Sequence, residues 1–213
     1  MGASKRNLSS RKIIAAAIEI ADEKGLRAVT LRGIANRIGV HVTSLYNHVP
    51  TKEAVLEEMV KTLLAEAKLP TGETTWQAWV RQFAQGMRAL AANHPGAFEA
   101  FHHASAQGER SAESFEAAFA AFRSAGFSDE ATYKAVKTTI ITVLGLVLED
   151  TARIRKPRMR TDLKHISSSR FPLVHEIHRV ANETDTFQFC IETLLAGFES
   201  LKRGPEEKIS QRG

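Results

Sequence analysis

Apolar residues recur at three- and four-residue spacing along almost the whole chain, and this periodicity restricts the fold to packed helices. Ile13, Ile14, Ala17, Ile18 and Ala21 form one stripe, with Ser9 or Ser10 as its cap and Gly25 closing it after Lys24. Thr30 opens a second short helix holding Leu31, Ile34, Ala35 and Ile38, and Gly39 ends it. A third, over about 42–48, must stop before Pro50, because the residue ahead of a proline avoids helical geometry. Thr51 caps a long connector carrying Val55, Leu56, Met59, Val60, Leu63 and Leu64, which should run to about Leu69, where Pro70, Thr71 and Gly72 break it. Further helices are expected near 75–93, 96–104, 111–125, 129–152, 171–182 and 185–203. Asn93-His94-Pro95-Gly96, Gly126 and Pro157 separate several of them. No strand or hairpin signal and no internal repeat interrupts the pattern, so the expected class is all-α.

Charge divides the chain in two. Residues 1–52 carry nine Lys/Arg against three Asp/Glu, whereas residues 53–213 carry twenty against twenty-one. A basic head on a near-neutral body points to a polyanion partner for the head, or to nothing more than a solvated terminus. Residues 151–170 hold seven Lys/Arg against Asp162 alone, which reads as a solvated loop or, less simply, as a second nucleic-acid contact. Cys190 is the single cysteine, which excludes an internal disulfide framework and a cysteine-based zinc module. No continuous apolar run reaches the roughly 18–20 residues of a membrane span, and the first residues lack a signal-peptide core, so no membrane partner is expected and a cytoplasmic protein is the default. A Gly-rich phosphate loop, a nucleophile elbow and a His-Glu-x-x-His are all missing, which argues against an enzyme.

The head concentrates the functional signal. Residues 31–48 read LRGIANRIGVHVTSLYNH. Ala35 is small where two helices would cross, and Gly39, four residues on, can take a positive φ without a Cβ penalty. Leu31, Ile34, Ile38, Val40 and Leu45 supply an inner apolar face, while Thr43, Ser44, Asn47 and His48, with Tyr46 among them, are hydrogen-bonding groups on the outside. A DNA-reading helix-turn-helix needs this combination.

The span from about Leu8 to Val60 resembles the N-terminal domain of the TetR family of bacterial transcriptional repressors. IIAAAIEIADEKGLRAVTLRGIANRIGV and SLYNHVPTKEAVL carry the resemblance, with Leu45, Tyr46, His48, Val49 and Lys52 filling a Leu-Tyr-x-His-[Val/Phe] run followed by a lysine. The family pattern implies double-stranded operator DNA as partner. Tyr46 and His48 would then reach phosphates or neighbouring bases, and Lys52 with the first-turn amides of the connector would hold a phosphate. Thr30 and Arg32 would contact the backbone, and Val42, Thr43, Ser44 and Asn47 would face the major groove, Asn47 able to pair with adenine and Thr43 with either base. Lys5, Arg6 and Arg11 would form an arm. Tyr46 as simple core and His48 as a helix-end cap stand as the plainer alternatives, and His41 has no role beyond the turn.

The rest resembles the tetracycline-repressor type of C-terminal domain, through WQAWVRQFA, RSAGFSDEATYKAV, LGLVLED and FQFCIETLLAGFESL. The resemblance divides the chain into a helix-turn-helix domain over 1–52 and a ligand-binding and dimerisation domain over 53–213. The helix around Ile140, Ile141, Val143, Leu144, Val147 and Leu148 is apolar on nearly all sides, which one small body can cover only in part, so a homodimer through this helix and that of 185–203 is expected. A small-molecule effector would sit among Leu64, Trp79, Phe83, Met87, Phe98, Phe101, His102, Phe115, Phe119 and Thr139, some of which must be core instead. The family's drug-gripping histidine and asparagine and its metal-holding histidine fall on Lys68, Phe83 and Ala100, with His102 two residues late. Glu149 matches an assisting carboxylate, but without its imidazole it makes a poor magnesium site, so no metal and no cofactor is expected and the effector should be mostly apolar. The implied function is a ligand-released repressor on a palindromic operator. A helical protein-interaction module and a ligand-blind regulator or activator remain the alternatives.

Overall fold

The computed structural model describes residues 8–104, 109–155, 163–180 and 186–202, and these are helical with no strand among them. The helices are α1 (Ser10–Lys24), α2 (Leu31–Ile38), α3 (Lys52–Glu66), α4 (Trp76–Asn93), α5 (Glu109–Ser124), α6 (Asp129–Arg155), α7 (Pro172–Val180) and α8 (Thr186–Lys202). The chain divides into two compact units, 1–121 and 122–213.

Side-chain caps fix the helix starts in the first unit. Ser9, Thr30, Thr51 and Thr75 each accept a backbone N–H from three residues on, at 3.0–3.4 Å. Gly39 ends α2 in the left-handed region at φ 70, where any other residue would meet a Cβ penalty. Ile13, Ala17, Val29, Ile34, Leu45, Val55, Met59 and Leu63 then pack as one buried core under the head.

Two expected helices are shorter and tighter than their spacing suggested. The segment expected as a helix over 42–48 is a single 3-10 turn, Val42–Ser44, followed by hydrogen-bonded turns in which the Leu45 carbonyl accepts from both His48 and Val49 at 2.8 Å. Little chain lies between Gly39 and the proline-closed end at 48, and β-branched Val42 and Thr43 with Ser44 and Asn47 favour turns over a regular helix. The expected helix over 96–104 is likewise a 3-10 turn, Ala97–His102. Asp22 of α1 anchors its start: its Oδ1 accepts from Gly96 N at 2.9 Å and Ala97 N at 2.8 Å and so holds that segment against the end of α1. The connector α3 stops at Glu66, about one turn before Leu69, because Ala67 is already extended.

In the second unit α6 packs on α8, with Val143, Val147, Phe187, Ile191, Leu195 and Phe198 buried and Phe122 edge-on to Phe198 at 6.1 Å. α6 also departs from the expectation that nothing here approaches a membrane span. An 18-residue window within its stretch Asp129–Ala152 has a mean hydropathy of 1.4, so the helix is long and apolar enough to cross one by length and composition, and 33% of that window is buried within the chain. The helix continues to Arg155, into the basic stretch expected as a loop, while Lys156, Arg158, Arg160 and Asp162 lie outside the described residues, as do Lys5 and Arg6 of the expected arm. The expected ends of the last two helices, beyond Val180 and Lys202, also fall outside them.

Candidate functional site

The outer face of the head is assembled from three short pieces. Thr30 and Arg32 stand exposed at the start of α2, with the Thr30 hydroxyl engaged by the Gly33 amide at 3.0 Å. A Cβ at Gly33 would reach that hydroxyl at 3.0 Å, so the small residue and the cap are matched. In the following turn Leu45 and Val49 are buried, and between them Tyr46, Asn47 and His48 face outward. Tyr46 is 52% exposed, so it is not core. Val42 and Ser44 are half-buried and Thr43 is exposed. The structure thus brings Thr43, Tyr46, Asn47 and His48 to one exposed segment, with Lys52 half-buried in the first turn of α3. There the Ala54 amide donates to the Thr51 hydroxyl, and the Glu53 carboxyl is held below its ordinary range by its own backbone amide and by the Thr51 hydroxyl.

One contact in this segment had no signal in the spacing. His41 Nδ1 lies 2.8 Å from Thr43 Oγ1. A second set of contacts ties α2 to α1. Arg37 donates to Glu19 at 3.2 Å and to both oxygens of Glu23 at 3.0 and 2.5 Å. The hydrogen bond from Arg37 holds the Glu23 carboxyl below its ordinary range and, reciprocally, raises the guanidinium. One of the head's cations is therefore already paired.

The residues expected around an effector divide into packed and open groups. Leu64, Trp79, Phe83, Met87 and Phe98 are buried. Trp79 stacks on Phe83, rings 5.1 Å apart and nearly parallel, and its Nε1 donates to the Ser114 carbonyl at 2.9 Å. Phe101 is half-buried against Phe98 at 4.8 Å, Phe115 and Phe119 are half-buried and stacked at 6.4 Å, and His102 is exposed beside His103. Thr139, in the second unit, is buried with its hydroxyl donating to Ala135 O at 2.9 Å. The Ser114 hydroxyl, buried beside the Trp79 contact, has no hydrogen-bond partner. It is a polar atom that the aromatic spacing did not single out, and a serine on the inner stripe of α5 was the available signal. A separate groove of about 540 Å³ opens between the end of α3 and the outer face of α4, lined by Lys68, Leu69, Gln82, Gln85 and Asn93 among others, and none of the expected effector residues borders it. Among the described residues no group of three or more His, Cys, Asp or Glu is placed to hold a metal ion.

Beneath the head, His94 bridges two elements. Its Nδ1 is 2.8 Å from Asp22 Oδ2 on α1 and its Nε2 is 3.0 Å from Glu66 Oε2 at the end of α3. Gly96 passes so close to α1 that a Cβ there would sit 2.0 Å from the Ala21 carbonyl oxygen.

Comparison with known proteins gives matches to both parts. Residues 13–59 match the profile of bacterial regulatory proteins of the tetR family, and residues 69–201 match the tetracyclin repressor-like C-terminal domain. The class G tetracycline repressor protein of Vibrio anguillarum is 29% identical over 207 residues, covering 92% of this chain and 95% of that protein. An HTH-type transcriptional regulator of Saccharopolyspora erythraea is 32% identical over 125 residues, and that match spans 58% of this chain but only 53% of the relative's length. Among solved structures, a single-substitution variant of TetR from Acinetobacter baumannii AYE in complex with minocycline is 25% identical with a TM-score of 0.72, covering 93% of this chain and 100% of that one. BioQ with its double-stranded DNA operator shares the fold at 22% identity, with a TM-score of 0.69 and coverage of 90% and 98%.

Proposed function

This chain belongs to the TetR family of bacterial regulatory proteins, and from that premise we propose that it is a dimeric repressor that grips a palindromic operator and lets go when a small, mostly apolar molecule binds. Family members are DNA-binding transcriptional regulators, not enzymes. The single observation that supports the reading most is the segment 43–48, where Leu45 is buried and Thr43, Tyr46, Asn47 and His48 are left outward. Packing this turn from the inside leaves its hydrogen-bonding groups facing outward, toward base edges and phosphates. Val42, Thr43, Ser44 and Asn47 take the bases; Thr30, Arg32, Tyr46, His48 and Lys52 position the head on the backbone.

Two heads on one duplex require two chains. The exposed apolar residues of the second unit, Ile141 on α6 and Phe189 on α8, are 61% and 71% exposed, and burying them against a second copy is the favourable outcome. The effector is read as lying in the first unit, among Leu64, Trp79, Phe83, Met87, Phe101, Phe115 and Phe119, where the unpartnered Ser114 hydroxyl offers one polar anchor. The TetR variant holding minocycline supports a ligand-responsive body. Lys68, Phe83 and Ala100 stand in place of the polar grip, so the ligand of this chain is a less polar one.

Release follows from geometry. Half-sites lie about 34 Å apart, so a tilt of a few degrees in α3, which starts at the Lys52 contact and ends at the Glu66–His94 bridge, spoils the fit of both heads. Linkage requires operator DNA to weaken effector binding by the factor by which effector weakens operator binding. The test is fluorescence anisotropy on a duplex selected from a randomised library. Lys52→Ala should weaken all duplexes alike and flatten the log K against log salt slope by about one. A change in base preference with an unchanged slope would reverse the assignment. A thermal-shift hit that binds equally with and without the duplex would leave a ligand-blind regulator.

A further inference from the structure

Within the proposed reading segment, the Thr43 hydroxyl already has a side-chain partner in place: His41 Nδ1 stands 2.8 Å from it. His41 precedes the 3-10 turn in an extended conformation, and its carbonyl accepts the Ser44 amide at 2.9 Å. Backbone and ring of one residue therefore both address the turn, and the ring addresses the very atom proposed to meet DNA.

A threonine hydroxyl has one proton to give and two lone pairs, so left alone it matches a donor or an acceptor on a base. A fixed partner removes that freedom. A neutral imidazole carries its proton on one nitrogen only, and in the tautomer with the proton on Nε2, which the exposed ring can turn to water, Nδ1 accepts from the Thr43 hydroxyl. The Thr43 O–H then points at the ring, and only lone pairs remain for the base. Among major-groove edges, the groups that supply a proton are the amino groups of adenine and cytosine; guanine N7 and O6 and thymine O4 do not.

We propose that His41 sets the operator preference at one base position by orienting the Thr43 hydroxyl, so that this position selects the amino-bearing base, adenine or cytosine. His41 is a positioning residue in this scheme and touches no base itself. The inference rests on the reading that Thr43 faces the major groove.

The experiment profiles base preference by binding wild type and variants to a randomised duplex library, then to the selected duplex with all four bases at each position. Wild type should favour adenine or cytosine over its competitors at one position per half-site by about tenfold, a single hydrogen bond's worth of discrimination. Thr43→Val should abolish that preference, and Thr43→Ser should retain it. His41→Ala should relax the same position and no other, with nonspecific affinity and salt slope unchanged. His41→Phe keeps a ring of similar shape without the nitrogen and should behave as His41→Ala does, which guards against a variant that merely loosens the turn. Adding Thr43→Val to either His41 variant should bring no further loss at that position, because the two residues act through one hydroxyl. If the His41 variants weaken every duplex equally, or leave the position as selective as before while Thr43→Val erases it, the orienting role is overturned and Thr43 remains a base reader. If Thr43→Val changes no position although the protein binds the duplex, the base-reading assignment itself fails, and this inference with it.

Discussion

Replacing Gly96 with alanine should undo the joint between α1 and the segment that follows α4. The new Cβ would lie 2.0 Å from the Ala21 carbonyl oxygen, 2.5 Å from its carbon and 2.7 Å from Asp22 Cα, all backbone atoms that no rotamer change can move. Ordinary contact needs roughly 3.5 Å, so the turn must retreat by about 1.5 Å. A retreat of that size takes the Gly96 and Ala97 amides, now 2.9 and 2.8 Å from Asp22 Oδ1, beyond hydrogen-bonding distance. Overpacking costs about 1–3 kcal/mol. The two amide–carboxylate bonds add about 1.5–3 kcal/mol each at full burial, and less here because the Asp22 side chain keeps 23% of its exposure. The sum is about 3–5 kcal/mol, a large share of the roughly 5–15 kcal/mol that holds a domain together. In urea, with an m-value of about 2–3 kcal/mol/M, the midpoint should fall by about 1–2.5 M, followed by the fluorescence of Trp76 and Trp79, which are buried in the same unit. Gly72→Ala is the control: its φ of 77 is strained for alanine but the space is open, so it should cost only about 1 kcal/mol. A Gly96→Ala midpoint no lower than that of Gly72→Ala would refute the close approach as an energetic constraint.

Four further outcomes are expected. Trp79→Phe keeps the stack on Phe83 but loses the buried bond to the Ser114 carbonyl, and should cost about 1–2 kcal/mol in the same urea assay. Thr51→Ala removes the cap of α3 and should cost about 1 kcal/mol, with Thr51→Ser restoring it. Arg37→Ala tests a pH dependence: Glu23 is held below its ordinary range in the folded state, so its contribution exists above the unfolded carboxylate range and is lost as pH falls through the folded value. The thermal gap between wild type and Arg37→Ala should therefore narrow from about pH 7 to about pH 3, and a constant gap would remove Glu23 from the account. Wild type is expected to sediment as the proposed dimer at micromolar concentration, and Phe189→Glu and Ile141→Glu as folded monomers; Leu195 and Phe198 are buried within the chain itself, so charges there would damage the fold as well.

Local chemistry was legible and distant pairing was not. Thr30, Thr51 and Gly39 announce themselves because a cap hydroxyl and a left-handed glycine are decided within four residues of chain. The turns at 42–48 and 97–102 carried helical spacing yet closed more tightly; the composition of the first favours turns, and the second is anchored by Asp22, more than seventy residues earlier. No periodicity reports a contact such as Asp22–His94 or Trp79–Ser114, since neither is set by neighbours in sequence. At the reading face, the outward set around Tyr46 was readable from polar residues flanking buried Leu45, but the His41 contact depends on a side-chain direction that spacing does not encode. Aromatic residues at helical spacing mark core and ligand wall alike, so spacing alone did not separate the fully buried Phe98 from the half-buried Phe101, Phe115 and Phe119.

A helix as apolar as α6, with Ile141 exposed, makes the quantity of this protein a variable of its own chemistry if the proposed dimer covers it. In the proposed dimer, association adds to the stability of the folded chain, so the thermal midpoint should rise with protein concentration by mass action. Dilution exposes the same ribbon of Ile141 and its neighbours to proteases and chaperones, which act on open forms. A cell holding few copies would thus carry proportionally fewer competent dimers than one holding many, and occupancy of a palindrome would respond to expression more steeply than linearly. That steepness resides in the exposed apolar residues of α6 and α8 and needs no effector.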